Sequence, residues 1–452
     1  MKLFKTLAVG LVAVAAINVA SASVLRITGS TAFRKAMYAG IVAQMGSGVV
    51  KAAYVGTGGS AFNGSNQTVF VNASDTVYCC MAGSTGGINW NSNGLTVSTD
   101  KDRTLMTSAW LNPSLAVDTV TLGGATGYAI TGGTEIVNPT AADPAVYEAA
   151  NTANINMADT AQNATAYSTF LGNPGLTPVG AALGVQQYVF AKGKEYANVT
   201  AFNAASYARF TNVTPLAFQY LAAAGTAPLS LFTGNSADHG IDVSLVGRDN
   251  DSGTRAVTFY ETGTGNDTTT AVQYQAFKAD GTTNVGTTNS GPIDQLIDSD
   301  TVTVTNPGLN GYSSGGFVKN VLNASGTAVT GVSSVNGNPT ILLAYIGTGD
   351  TPSTISQVLG YNGVQLYSGP VASGQATQVP ALSQYGQYSF WNPEIMYQKG
   401  LTGTSGNVAT QLGLATAIAN NIRTTHITAS GGIKTTDMQS SRPGEGQAIS
   451  PN

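Results

Sequence analysis

The segment Val246-Gly247-Arg248-Asp249-Asn250-Asp251-Ser252-Gly253-Thr254-Arg255 gathers glycines, two small hydroxyl side chains and a fixed cation in one short stretch. Val243, Leu245 and Val246 lead in as a strand, and Ala256, Val257, Phe259 and Tyr260 follow as a short amphipathic turn. A strand-to-helix turn of this kind aims backbone N–H groups and the positive end of a helix dipole at one point. Arg248 can add a planar, two-pronged grip on an oxyanion. The chemistry indicated is an anion seat, most naturally for phosphate, with Ser252, Gly253 and Thr254 among its donors.

Two further turns follow the same plan. Thr28-Gly29-Ser30-Thr31-Ala32 comes after a short apolar strand over residues 24–27. It precedes Phe33, Met37, Ile41 and Met45, which repeat every four residues as one helix face. Ser30 or Thr31 is the expected N-cap of that helix and Gly46 its stop. Gly83-Ser84-Thr85-Gly86-Gly87-Ile88 is the third hydroxyl-and-glycine turn, and residues 155–160 read as a strand ending in the carboxylate of Asp159.

Strand and helix signals alternate along the chain. Residues 54–135 give short β-like runs broken by glycine and asparagine, including 68–71 and 120–122 after a polar break at Asp118-Thr119. Residues 139–154 suggest a helix-containing insertion, and 262–307 an excursion of loops or a hairpin. Residues 183–190 make a buried strand at which the chain crosses to a second domain. Helices are expected over 218–224, from Ser313 toward Leu322, and over 405–422 with Ser405 as N-cap. Residues 341–346 form a core strand, 385–397 carry the chain back, and the stretch after Ser440 is expected to fray. Alternation of this kind argues a wound α/β sheet in each domain, and the two crossings argue two lobes around a cleft. The expected division is a signal peptide over 1–22, one lobe from 23–184 plus 396–452, and a second lobe from 185–395.

The bulk numbers set the class. Lys2 and Lys5, an apolar run over 7–19 and Ala20-Ser21-Ala22 make a cleavable export signal. No later stretch is apolar and long enough to span a bilayer. The expected location is the periplasm, the extracellular space or the cell surface. Beyond the signal, 17 basic residues face 23 acidic ones, a net charge near −6 that gives nucleic acid no footing. Only 9% of the chain is charged, against roughly 25% in an ordinary soluble protein. Such a surface suits an extracellular setting or packing against copies of itself. Cys79 and Cys80 adjoin, and read either as a vicinal or interchain disulfide or as two small buried strand residues. The two histidines, His239 and His426, leave no material for a His-based zinc site and little for a dispersed catalytic triad.

Four segments together resemble the phosphate-binding periplasmic proteins of the type II solute-binding fold. Thr28-Gly29-Ser30-Thr31-Ala32-Phe33 is similar to their opening Thr-Gly-x-Gly-x-Thr-Phe, one residue shorter. The segment at Ser84 is similar to their Gly-Ser-x-Gly-Gly-Ile loop, Asp159 to the Asp that ends a strand, and Arg248 to Thr254 to Arg-x-Asp-Gly-Ser-Gly-Thr. The order is the family's. The family Gly before Ser-Gly-Thr is Asp251 here and the family Asp is Asn250. A carboxylate at 251 would weaken anion binding unless it pairs with Arg248 or Arg255.

The resemblance implies an α/β, two-lobed type II periplasmic-binding-protein-like fold with a central cleft and β-rich insertions. It implies an exported, non-enzymatic solute-binding protein that captures phosphate or a similar oxyanion, without cofactor or metal, and that could deliver it to an ABC permease. Ser30, Thr31, Ala32, Ser84, Thr85, Asp159, Arg248, Ser252, Gly253 and Thr254 are then the ligand-binding residues. An ionised carboxylate accepts hydrogen bonds and donates none. Asp159 would therefore take the proton of hydrogen phosphate and repel sulfate, which has none. The alternative is a surface or extracellular structural or adhesive protein that keeps the fold without tight binding.

Overall fold

The computed structural model describes residues 23–45, 51–54, 67–72, 74–81, 83–93, 117–122, 125–130, 153–163, 175–193, 204–249, 252–265, 271–275, 294–297, 311–312, 314–324, 338–352, 357–368 and 377–452. The expected signal peptide, Gly46, Asn250, Asp251, Ser313 and most of the 139–154 insertion lie outside them.

The main sheet is mixed and carries 13 strands among the described residues. Its path runs Thr226–Pro228, Asp242–Leu245, Thr340–Gly347, Gly184–Lys192, Trp391–Gln398, Ile155–Ala158, Ser23–Gly29, Asp75–Cys80, Gln67–Val71 and Lys51–Tyr54. Ser23–Gly29 is parallel to both its neighbours, pairing Ile27 with Cys79 on one side and with Ile155 on the other. Asp242–Leu245 is parallel to Thr340–Gly347, with Val243 opposite Ile341. Parallel strands need cover on both faces, and every residue of Asp242–Leu245, Thr340–Gly347 and Gly184–Lys192 is buried.

Trp391–Gln398 joins the two halves. Its first half pairs antiparallel with Gly184–Lys192, through Trp391 opposite Gln187, and its second half with Ile155–Ala158, through Ile395 opposite Ala158. Two apolar cores flank this crossing. One packs Leu25, Phe33, Met37, Ile41, Met157 and Ile418; the other packs Phe190, Phe218, Leu245, Phe259, Tyr345 and Phe390. The four-residue repeat read from the sequence is the buried face of the Arg34–Met45 helix: Phe33, Met37, Ile41 and Met45 are all buried. In the second core, Phe190 lies 5.1 Å from Phe218 and 5.3 Å from Phe390, ring centre to ring centre, close enough for aromatic pairing to add to area burial.

Several local expectations need correction. The helix placed at 405–422 spans Gln411–Asn421, and its N-cap is Thr410, whose hydroxyl accepts the Gly413 N–H at 3.1 Å. Ser405 lies in the turn before it, which Asn407 tightens by accepting from the Ala409 N–H at 3.0 Å. The strand expected at 120–122 runs through the polar break as Val117–Leu122 and pairs with Ala125–Ile130. The stretch after Ser440 folds back, with Ser440–Ser441 paired to Ser450–Pro451. Within 262–307, Val272–Gln275 pairs antiparallel with Asp294–Ile297. Cys79 is buried, in the strand Asp75–Cys80.

Candidate functional site

The strand ends that carry the predicted turns are tied together by the backbone. Gly29 sits at φ +125°, a conformation L side chains rarely adopt, and a Cβ there would collide with the Met157 carbonyl. The N–H of Ser30 donates to that carbonyl at 2.8 Å, and the N–H of Gly83 donates to the Gly29 carbonyl at 2.8 Å. Residues 29, 83 and 157 are thereby locked at the carboxyl end of three parallel or neighbouring strands. The strand at the middle of this group has parallel partners on both sides, the kind of switch point where open α/β sheets form a crevice. Ser30, Thr31, Ala32, Ser84 and Thr85 are all buried around it. The hydroxyls of Ser30 and Thr85 find no hydrogen-bond partner among the described residues.

Asp159 follows directly on Ile155–Ala158 and is 1% exposed. Ser84 Oγ donates to its Oδ1, Thr254 Oγ1 donates to its Oδ2 at 3.5 Å, and its own N–H donates to Ser84 Oγ at 3.2 Å. Ser84 starts one helix, Ser84–Asn93, and Gly253 starts another, Gly253–Thr262, so two helix N-termini meet on this carboxylate. Ser252 caps the second helix by accepting from the Arg255 N–H at 3.2 Å. Gly253 is obligatory here: a Cβ on it would collide with Asp159 Oδ1 and lie 2.7 Å from Ser84 Cβ. Burial pushes the Asp159 carboxyl above its ordinary range, and Ser84, Tyr188 and the Arg248 charge pull it back in part.

Arg248 is 2% exposed and held from several sides. Its N–H donates to Tyr345 Oη at 3.1 Å and its Nε to the Tyr312 carbonyl at 2.8 Å. Its carbonyl accepts from Arg255 Nη1 at 3.1 Å and Gln273 Nε2 at 3.2 Å. Arg255 stacks over Phe259 at 4.9 Å. Burial lifts the Tyr345 hydroxyl to about 12, so it stays a neutral donor and acceptor beside Arg248. Two residues beyond Tyr312, Ser314 leads into the Gly315–Ala324 helix.

Sequence reasoning missed Arg34. It is buried to 2% and faces Asp350 at 3.7 Å. A Cβ on Gly316 would come within 3.0 Å of Arg34 Nη2, and one on Gly315 within 2.7 Å of Asp350 Oδ2. Asp350 thus places its charge at the start of the Gly315–Ala324 helix, where the dipole favours it. Lys35 Nζ donates to the Gly349 carbonyl at 2.5 Å. The available signal was a charged pair, Arg34-Lys35, directly after a hydroxyl turn in a chain so poor in charge. A second missed group lies behind Asp159: Asn392 Nδ2 donates to the Asp159 carbonyl at 2.7 Å and to Glu445 Oε1 at 3.1 Å. No feature of the sequence around Glu445 marks it out.

The predicted segments therefore converge. Ser84, Thr254 and Gly253 meet on Asp159; Gly83, Gly29 and Ser30 adjoin it through Met157; the Arg248 charge is near enough to favour the ionised Asp159. Ala32 faces the other core's strand end, 3.0 Å from where a Cβ on Gly347 would stand. Among the described residues no group of three or more His, Cys, Asp or Glu could hold a metal ion.

No protein-family model matches the chain, and no curated protein matches it. Solved structures do. A Clostridium perfringens protein assigned as a phosphate ABC transporter substrate-binding protein, with phosphate bound, aligns over 91% of this chain and 100% of its own at 12% identity and a TM-score of 0.42. An ABC-type phosphate transport receptor from Vibrio cholerae aligns over 90% and 99% at 12% identity and a TM-score of 0.36. PstS from Borrelia burgdorferi aligns over 91% and 98% at 10% identity and a TM-score of 0.33. The chain is similar in structure to phosphate-binding proteins of ABC transporters. The α/β class expected from the sequence is the one observed, in a sheet of parallel and antiparallel strands covered by helices. No described helix is long and apolar enough to cross a membrane.

Proposed function

We propose that this is an exported solute-binding protein that captures an oxyanion, most naturally phosphate, and hands it to a membrane permease without transforming it. The observation that carries this reading is a pair of buried hydroxyls without a hydrogen-bond partner among the described residues: Thr85 Oγ1 in the first turn of Ser84–Asn93, and Ser30 Oγ, which does not cap the Arg34–Met45 helix as expected but lies in the turn leading into it. Buried polar groups are otherwise satisfied in native proteins, and hydroxyls at helix N-termini are donors an anion would use.

In this reading Ser30, Thr31, Thr85 and Ser252, with the N–H groups at Ala32 and Gly253, surround the anion. Arg248 supplies the full positive charge. Ser84 and Thr254 hold Asp159, whose carboxylate has about four acceptor sites and spends two on them. The remainder takes the proton of hydrogen phosphate. Hydrogen bonds to a charged group contribute about 1.5–3 kcal/mol each, and association costs at least about 4 kcal/mol. Five or six such bonds therefore reach the ~8 kcal/mol that micromolar binding requires.

Calorimetric titration of the mature chain with phosphate and with sulfate tests the reading. Phosphate is expected to bind with micromolar or tighter affinity, sulfate far more weakly. Arg248→Ala is expected to weaken phosphate by about 10- to 100-fold, the worth of one or two charge-assisted hydrogen bonds. A parent protein that takes up neither anion, or both alike, refutes it.

A further inference from the structure

Residues 438–452 do more than cover the fold. Met438 packs with Val185, Trp391 and Ile433. The Gln439 N–H donates to the Gln384 carbonyl at 2.9 Å and Ser440 Oγ to the Ser383 carbonyl at 3.1 Å. Closed by the pairing of Ser440–Ser441 with Ser450–Pro451, the intervening loop enters between three elements: the start of Trp391–Gln398, the end of the Gly253–Thr262 helix and the turn after Asp159. Arg442 anchors it. Its side chain is 2% exposed, lies over the Trp391 ring at 5.1 Å, pairs with Glu261 at 2.7 Å and donates to the Ser389 carbonyl at 2.5 Å. Gly446, at φ +66°, presses so closely on the Tyr260 carbonyl that a Cβ would collide with it.

Glu445 is the tip of this wedge. Its Oε1 accepts from Thr160 Oγ1 at 2.6 Å, from the Ala161 N–H at 2.6 Å and from Asn392 Nδ2 at 3.1 Å. The same Asn392 Nδ2 holds the Asp159 carbonyl at 2.7 Å. The backbone just past Asp159 is thus held by Glu445 directly, at Ala161, and through Asn392, at the Asp159 carbonyl, while Ser84 holds the amino side through the Asp159 N–H. A carboxylate in a loop some 280 residues away in sequence, at a separation of 284 from Ala161, so grips the turn that carries the anion-facing acid.

We propose that Glu445 is a positioning residue for Asp159: docking of the 442–447 loop sets the direction in which Asp159 presents its carboxylate, and with it the preference for a protonated over an unprotonated oxyanion. The proposal rests on the oxyanion reading of the seat. Glutamine at 445 keeps an oxygen for the same three donors, whereas alanine leaves all three without it.

The test compares parent, Glu445→Ala and Glu445→Gln, each checked for folding by circular dichroism. One arm titrates phosphate and sulfate; the other follows amide hydrogen exchange at Asp159 and Ala161 without ligand. Glu445→Ala is expected to weaken phosphate about tenfold, the worth of one charged hydrogen bond, and to shrink the phosphate-over-sulfate ratio. It is also expected to speed exchange at both amides. Glu445→Gln is expected to restore all three readouts toward the parent's. Faster exchange at Ala161 with Asp159 at the parent rate overturns the proposal, since the loop then holds only its own contact. An unchanged anion ratio in a folded Glu445→Ala protein overturns it equally. A parent that binds neither anion instead refutes the oxyanion reading, and the exchange arm still decides whether Glu445 holds Asp159.

Discussion

At the scale of single residues, Asp159 concentrates the consequences. Because burial raises its carboxyl above the ordinary 3.8, it begins to take up a proton at a less acidic pH than an exposed aspartate. Ionised, it repels sulfate; protonated, it can donate to it. Sulfate affinity should therefore rise as the pH is lowered into the acid range, and Asp159→Asn should bind sulfate well, independently of pH, while losing about tenfold or more for phosphate, one charged hydrogen bond. Titration calorimetry at three pH values checks this; pH-independent sulfate binding in the parent counts against the role. Asp159 was legible only through its place at a strand end between the Ser84 and Arg248 turns, in the order of the family the chain resembles; alone it reads as a turn-former. Arg34 was not, since nothing in the local pattern says that its partner is Asp350, more than 300 positions on. Removing one member of a buried ion pair costs about 3–5 kcal/mol, so Arg34→Ala and Asp350→Asn should each lower denaturant stability by that order. The double variant should lose less than the sum. Equal and additive small losses would show that the pair contributes little.

At the scale of elements, the helix starts decide what can approach Asp159. Glycine to alanine within a helix ordinarily gains about 0.5–1 kcal/mol. Gly253 reverses that sign, because its Cβ would enter the space of Asp159 Oδ1 and Ser84. Gly253→Ala should therefore lower both the melting temperature and phosphate affinity, and a stabilised, binding-competent variant would contradict the observed approach. The three hydroxyl turns were readable from local chemistry: strand residues, then glycine and serine or threonine, then a helix face. The start of the Gln411–Asn421 helix was not, because Ser405 and Thr410 both have cap chemistry and only the turn between them selects Thr410. Thr410→Ala should cost about 1 kcal/mol, a typical N-cap loss, with Ser405→Ala close to neutral in the same urea titration.

At the scale of the whole molecule, the alternation of strands and helices announced two α/β cores and a crossing, but not how many acids the crossing would bury. The stretch after Ser440 looked like a fraying end because its composition is polar. Its Arg442 and Glu445 instead find partners only the assembled fold supplies. The cost of that arrangement is readable as pH dependence. Burial lifts Glu445 from its ordinary 4.5 to about 7, lifts Glu394 well above its usual range, and raises Glu261 and Asp159 as well. For each, the folded state binds its proton more tightly than the unfolded chain. The stability so gained is complete below the unfolded value and is lost as the pH rises through the folded one. For Glu445 that window runs from about 4.5 to about 7 and is worth on the order of 3 kcal/mol. His426, lowered by burial, acts in the opposite sense below its ordinary 6.5, but it is one partly exposed group against four buried acids. The melting temperature should therefore fall between pH 5 and pH 8, and Glu445→Gln should flatten the fall, since an amide has no proton to lose. A melting temperature that climbs with pH over this range would mean that these carboxylates are ionised and well paired in the folded chain.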